Sequence, residues 1–375
     1  MNAIPITSHG AVPGTDTLQT DAIQRALDQA AATGGTVVIP AGTFLTGTLD
    51  LTGASLHLEK GAVLLGSPDI NDYGDIGYHH NEMGRVRSLL HAADCDGIRI
   101  TGEGTIDLNG DAFYDMKAPN VPQTAVSLTQ EQLDECTRPI GRRPNQPMFF
   151  LRCRDVRVEG IHILNAPCWT MSFVECEDVR VTGLTIRNSE ILPNNDGMHF
   201  CGCRQVFVRD CNITAGDDCI ALSGITDWNR PCEDVVISDC ILTSCSKAIA
   251  IGYMHSIVRN VAISNCLIVD SNRALTIMAS ARTGLVENVL VSNTRLDTRI
   301  RAGNWWGNGE PVAIIANWHH LANYRDAAPA DRFEVNVRNI RFQNLICTGE
   351  NAIGIVGEDD NVQGVHFNDI SMALK

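Results

Sequence analysis

Basic side chains are scarce in this chain. Its 29 Lys and Arg face 44 Asp and Glu, a formal net charge of −15 at pH 7. Nucleic acids and anionic membranes need a basic footprint, so neither is expected as a partner. Long apolar runs are missing as well, and none approaches the ~20 residues of a membrane-spanning helix. The first ten residues lack the basic start and apolar core of a secretory signal, and on that ground the protein is expected to be cytoplasmic. Aromatic residues make up only 5%, which leaves aliphatic side chains to fill the interior.

What the chain does contain is a repeat. Short segments of one design recur as Cys153-Arg154-Asp155-Val156, Cys176-Glu177-Asp178-Val179, Cys203-Arg204-Gln205-Val206 and Cys232-Glu233-Asp234-Val235, followed by Arg259-Asn260-Val261 and Glu287-Asn288-Val289. Taking the Val as a marker, the steps are 23, 27, 29, 26 and 28 residues. Each marker opens a period-2 pattern such as Val261-Ala262-Ile263-Ser264, which argues for strands and against helical repeats. A period of this length built from alternating apolar residues and polar corners predicts an all-β, single-domain right-handed parallel β-helix, a solenoid whose coils stack into long sheets. With 44% hydrophobic residues, one elongated domain over 1–375 can hold the whole core.

The 14 cysteines fit the same repeat. Cys153, Cys176, Cys203 and Cys232 share one position in successive coils, and Cys211, Cys240 and Cys266 share another. They read as ladders of small buried thiols rather than as disulfides or a metal site. Cys201-Gly202-Cys203 has the look of a chelating pair but no second pair accompanies it. No cofactor and no metal is expected.

Ahead of the repeats, Ile23, Ala26, Leu27 and Ala30 fall at helical spacing and Gly34-Gly35 ends the pattern. This short helix, within an N-terminal cap and first coil over about 1–50, is expected to cover the open end of the solenoid. Strands are expected at Thr36 to Pro40, at Ser55 to Leu58 and within Gly97 to Ile106. From about 116 to 147 the periodicity lapses into a polar insertion, expected to wall one end of a cleft. A Gly-rich stretch within about 300–330 is expected to form a further cleft loop.

Chemistry concentrates in two acidic clusters about one coil apart, Asn194-Asn195-Asp196-Gly197 and Gly216-Asp217-Asp218-Cys219. Adjacent strands lie ~4.8 Å apart, so Asp196, Asp217 and Asp218 should share one surface. Crowded carboxylates raise the pKa of at least one member, and a protonated acid beside an ionised base is what glycoside hydrolysis requires. Two other readings stay open: these sequences are good turn formers, and three carboxylates can bind calcium. Aligning the coils stacks Met198, Ile220, Ile249 and Leu275 in one inward ladder and Phe200, Leu222, Ile251 and Ile277 in another. The intervening Gly197, Cys219, Ala248 and Ala274, and His199, Ala221, Ala250 and Thr276, are expected to floor an outward groove. Lys247 and Arg273 occupy the rung of Asp196 and Asp218, one and two coils further on.

The residues carry a family resemblance. Asp21-Ala22-Ile23-Gln24 with Gly34 to Thr43, Gly102-Glu103-Gly104-Thr105-Ile106-Asp107, Asn165 to Thr170 and both acidic clusters together resemble glycoside hydrolase family 28, the polygalacturonase and rhamnogalacturonase family. The resemblance implies a pectin-lyase-like right-handed β-helix and hydrolysis with inversion. It assigns Asp217 as general acid and Asp196 with Asp218 as the water-activating pair. Inverting enzymes hold their carboxyl groups roughly 6.5–9.5 Å apart.

This chain also departs from the family's pattern. Where polygalacturonases carry Gly-His-Gly it reads Ser246-Lys247-Ala248, and their Arg-Ile-Lys corresponds to Thr276-Ile277-Met278. The Trp-Thr-Xaa-His pattern becomes Trp169-Thr170-Met171-Ser172. With those cations missing, the expected substrate is an oligosaccharide other than simple homogalacturonan, and exo action is expected from a groove shortened to a pocket by the 116–147 insertion and the Trp305-Trp306 loop. Candidate substrate-binding residues are Lys247, His199, Arg273, Asn194 and, in the Gly303 to Pro311 loop, Trp305, Trp306 and Glu310. The rival within pectin hydrolysis is a polygalacturonase or rhamnogalacturonan hydrolase with altered carboxylate recognition. A non-catalytic carbohydrate-binding β-helix, or a lyase or epimerase on the same fold, is the alternative outside it. Nothing in the sequence bears on oligomeric state.

Overall fold

A computed structural model of the chain describes residues 2–80, 83–116, 140–224, 230–279, 283–301, 307–316, 333–358 and 360–375. The described strands form a 20-stranded and a 10-stranded sheet, both wound from successive coils, and one two-stranded hairpin. Every pairing within the two large sheets is parallel, for instance Met198↔Ile220↔Ile249↔Leu275. The molecule is a right-handed parallel β-helix.

The marker motif has a simple geometric meaning. Asp155, Asp178, Gln205, Asp234, Asn260 and Asn288 sit in the left-handed region, with φ from 52° at Asp178 to 58° at Asn260. Short polar side chains tolerate that conformation best. Each corner turns the chain so that the next residue points inward, and Val156, Val179, Val206, Val235, Val261 and Val289 then stack in register. The corners also bond to one another: Asn260 Nδ2 donates to Asp234 Oδ1 at 3.0 Å, and Asn288 Nδ2 to Asn260 Oδ1 at 3.1 Å.

Inside, Phe150, Phe173 and Phe200 stack at centroid spacings of 5.0 Å, the strand separation itself. One continuous apolar cluster runs from Ile4 to Cys347. The ladder cysteines belong to it, and the thirteen described cysteines are free thiols. The α-helix Thr20–Thr33 buries Ala22, Ile23, Ala26, Leu27 and Ala30 over the first coil, and Gly34 ends it at φ 72°. Strands Thr36–Ile39 and Ser55–Leu58 lie where expected, and Gly97 to Ile106 divides into Arg99–Gly102 and Thr105–Asp107. No helix among the described residues is long and apolar enough to cross a membrane.

One element has no counterpart in the repeat pattern. Asp75–His80 and Gly84–Arg87 pair antiparallel and lie on the outer face of the ten-stranded sheet. There Val86, Ile76 and Tyr78 pack on Phe149, Leu151, Val174 and Cys201, with the Tyr78 and Phe149 rings 5.3 Å apart. Residues 117–139 of the insertion lie outside the described residues, but its last part pins the hairpin. Asn145 Oδ1 accepts from the Arg87 backbone at 2.9 Å, while its Nδ2 donates to the carbonyls of Met83 and Arg85 at 2.7 and 3.0 Å.

Candidate active site

Beyond the hairpin, the outer face of the ten-stranded sheet opens into a pocket of about 140 Å³. Asp196 precedes strand Met198–Cys201, Asp217 and Asp218 precede Ile220–Ser223, and Lys247 opens Lys247–Ile251. Parallel pairing aligns these starts. Gly197 donates its N–H to the Asp218 carbonyl at 2.8 Å, and Cys219 donates to that of Lys247 at 3.2 Å.

A buried polar scaffold holds the two acidic clusters together. Asn195 Oδ1 accepts from the Gly216 N–H at 2.8 Å, and its Nδ2 donates to the Ser189 carbonyl at 2.5 Å. Asn188 Nδ2 donates to Thr170 Oγ1 at 2.7 Å and to the Asn195 carbonyl at 2.8 Å. Thr170 Oγ1 in turn reaches the Asp196 carbonyl at 2.5 Å, and Ser244 Oγ the Asp217 carbonyl at 2.7 Å. At Gly216 a Cβ would sit 2.5 Å from both Asn195 Oδ1 and the Leu192 carbonyl, and at Gly197 one would sit 2.4 Å from the Cys219 carbonyl. Both glycines of the motifs are therefore steric requirements of coil-on-coil contact.

Asp196, Asp217 and Asp218 are all buried, and one carboxylate oxygen from each lies within 4.8 Å of the others. Asp218 accepts from Ser246 Oγ at 3.2 Å and the Lys247 N–H at 3.3 Å, and its Oδ2 lies 3.2 Å from Lys247 Nζ. Burial pushes the Asp218 carboxyl up to about 7; the Lys247 ammonium opposes the shift, and the neighbouring Asp217 and Asp196 add to it. The Asp218 carboxyl therefore keeps its proton into the neutral range. A calcium ion would need 6–8 oxygen ligands. Here the Lys247 ammonium already supplies positive charge to the cluster, which fits a lysine-compensated acid–base set better than a cation cage.

His199 lies beside Asp196, with Nε2 2.8 Å from Asp196 Oδ2. Asn194 lines the pocket too, and its Oδ1 accepts from Arg143 Nη2 at 3.2 Å. The remaining lining includes Ala221, Ala250, Thr276 and Met278, together with Trp169 and Tyr253. Among the described residues Lys247 supplies the one ammonium or guanidinium in it. Thr276 Oγ1 is buried without a hydrogen-bond partner among the described residues.

Other candidates lie elsewhere. Arg273 and Glu310 form a buried ion pair with each other, Glu310 also accepts from the Asn308 N–H at 2.5 Å, and neither lines the pocket. Trp305 and Trp306 lie outside the described residues. Gly197, Cys219, Ala248 and Ala274 do not floor the groove as their alternation predicts. Cys219, Ala248 and Ala274 belong to the core, and Cys219 Sγ approaches the Thr243 carbonyl at 3.1 Å. Gly197 and Cys219 precede their strands, whereas Ala248 and Ala274 lie within theirs, and the two-residue alternation holds only from Met198, Ile220, Ile249 and Leu275 onward. Sequence reasoning also missed Asn188, Asn195 and Tyr253. The Asn-Asn pair in the first motif was the available signal for Asn195.

Fold and site define a parallel β-helix with an acidic pocket on its outer sheet face. The sequence signature described as "Glycosyl hydrolases family 28" matches residues 30–374, and the chain belongs to that family. It is 27% identical to a probable polygalacturonase of Vitis vinifera over 315 residues, 78% of this chain and 60% of that protein. Over 118 residues it is 43% identical to an exo-poly-α-D-galacturonosidase of Dickeya chrysanthemi, which is 28% of this chain and 19% of that protein. Both alignments span less than two thirds of the relative's length. Among solved structures, the hyperthermoactive exopolygalacturonase of Thermotoga maritima shares the fold with a TM-score of 0.75 and 22% identity, over 99% of this chain and 87% of that one.

Proposed function

We propose that the protein is an exo-acting, inverting glycoside hydrolase of oligosaccharides. The observation that carries this reading is the position of the three carboxylates: they lie in a pocket beyond the hairpin that covers the outer sheet face on the N-terminal side. A cover on that side favours binding of a chain end over a continuous chain, which supports cleavage near a chain end. The Dickeya and Thermotoga relatives, both named as exo-acting on galacturonan, support it.

In this mechanism Asp217 donates its proton to the glycosidic oxygen as the bond from that oxygen to the anomeric carbon breaks. Asp196 and Asp218 take a proton from the water that attacks the same carbon from the opposite face, and the product leaves with inverted configuration. The oxygens of the trio are closer together than the roughly 6.5–9.5 Å between the carboxyls of inverting enzymes, so the stereochemical part of the proposal rests on family membership. Proton NMR of the first-formed anomer tests it, and retention of configuration would refute it.

The floor beside the acid is uncharged, built from Ala250, Thr276 and Met278. We propose that it takes a neutral sugar unit rather than a second uronate. A product screen against neutral, mixed and fully acidic oligosaccharides decides the matter. Monosaccharide release from mixed or neutral substrates is the expected result, and cleavage of homogalacturonan alone would transfer carboxylate recognition to Lys247. An unsaturated product absorbing in the ultraviolet would mark a lyase instead.

A further inference from the structure

The hairpin that covers the groove also reaches the trio. His80, at the end of its first strand, is buried and meets the Trp169 ring edge-on at 5.3 Å and 82°. Trp169 in turn stacks flat on His199, with centroids 3.6 Å apart and planes within 9°. His199 ends the series at Asp196, Nε2 to Oδ2 2.8 Å. An ionised carboxylate only accepts hydrogen bonds, so Nε2 carries the proton and donates it. On the far side, His80 Nδ1 accepts from the Met83 N–H at 3.2 Å, and burial lowers its pKa to about 4. It is therefore a neutral ring that acts by packing.

Such a series constrains orientation. A stacked, buried imidazole cannot rotate without leaving the indole face, and the indole is clamped between two rings. The adjacent strand places Ser172 beside His199, a side chain small enough to leave the imidazole to the Trp169 face. A base must hold its oxygen toward the attacking water to within a fraction of an ångström.

We propose that His199 is a positioning residue for Asp196, and that the hairpin sets it through His80 and Trp169, so that groove closure and orientation of the water-activating carboxylate are one structural unit. The proposal rests on the reading of the trio given above.

Steady-state kinetics of four variants test it, with thermal unfolding as the check on folding. His199→Phe keeps a ring on Trp169 and removes the donor, so kcat should fall about 10- to 100-fold, part of the roughly 10²–10⁴-fold that a positioned acid or base contributes, with KM within about twofold. His199→Gln places an amide N–H near the same oxygen and should recover most of that loss. Trp169→Leu removes the platform and should lower kcat with His199 still present. A His199→Phe enzyme with wild-type kcat overturns the proposal. So does one with raised KM and unchanged kcat, which would make His199 a sugar contact. Asp196→Asn is the parallel control. If it retains turnover, the reading of the trio fails and this proposal with it; if it is inactive while His199→Phe is fully active, the proposal alone fails.

Discussion

Two stretches of the same sheet differ only on their outer face. The strands Met148–Leu151 and Met171–Val174 carry the same inward ladder as Met198–Cys201, Ile220–Ser223 and Lys247–Ile251. On the outside, the first stretch presents Phe149, Leu151 and Val174, all buried under the hairpin. The second presents His199, Ala221 and Ala250, with Asp196, Asp217, Asp218 and Lys247 at the strand starts. The scaffold tolerates either, because stability comes from the ladders within and each outward residue is judged by what covers it. Burying an apolar side chain stabilises by roughly 1.5–3 kcal/mol, enough to hold a hairpin down. Burying carboxylates costs free energy unless they are paired, and Lys247 and Ser246 at Asp218 and His199 at Asp196 offset that cost.

The comparison can be broken at four points. Asp217→Asn should have the largest effect, with turnover falling about 10³-fold or more and substrate affinity, read by calorimetry, retained. Equal loss of binding would count against an acid role. Phe149→Ala, on the covered stretch, should cost about 3–5 kcal/mol in denaturant unfolding. If the hairpin loosens with it, products longer than a monosaccharide should accumulate, and an unchanged product pattern would detach the hairpin from exo action.

Lys247→Met should lower kcat about 10²-fold and also move the pH profile. The ammonium favours the ionised form of Asp218, so its removal raises the pKa. The acid limb of kcat/KM, with a wild-type midpoint near the Asp218 value of about 7, should shift to higher pH; a shift to lower pH would contradict the pairing. The smallest effect belongs to the interior both stretches share. Cys203→Ala removes one buried sulfur from a ladder and should cost about 1 kcal/mol with kinetics unchanged. Altered kinetics there would mean that the ladder reaches the site.

Much of this was legible in the residues. The Cys-Xaa-Asp-Val markers encode a left-handed corner followed by an inward valine, a local rule that repeats, and Asp196, Asp217 and Asp218 stand one coil apart in the same frame. Lys247 fell on their rung by the same count, and Asp218 is its partner. The alternation failed at Gly197, Cys219, Ala248 and Ala274, the last three of which are core residues adjoining Ile220, Ile249 and Leu275. Nothing in 75–87 marked a hairpin that docks on a distant face: it belongs to no repeat, and its apolar residues make sense only against Phe149 and Val174.

The sequence by itself determined the winding of this solenoid and the meeting of three carboxylates, since both follow from a period and a strand spacing that act between neighbours. Which part of the outer face would be covered, and that His199 would be held between Asp196 and Trp169 with His80 behind it, only the tertiary structure decided. Step by step that series spans the more than a hundred residues from His80 to His199, and no local pattern records which distant surfaces will meet.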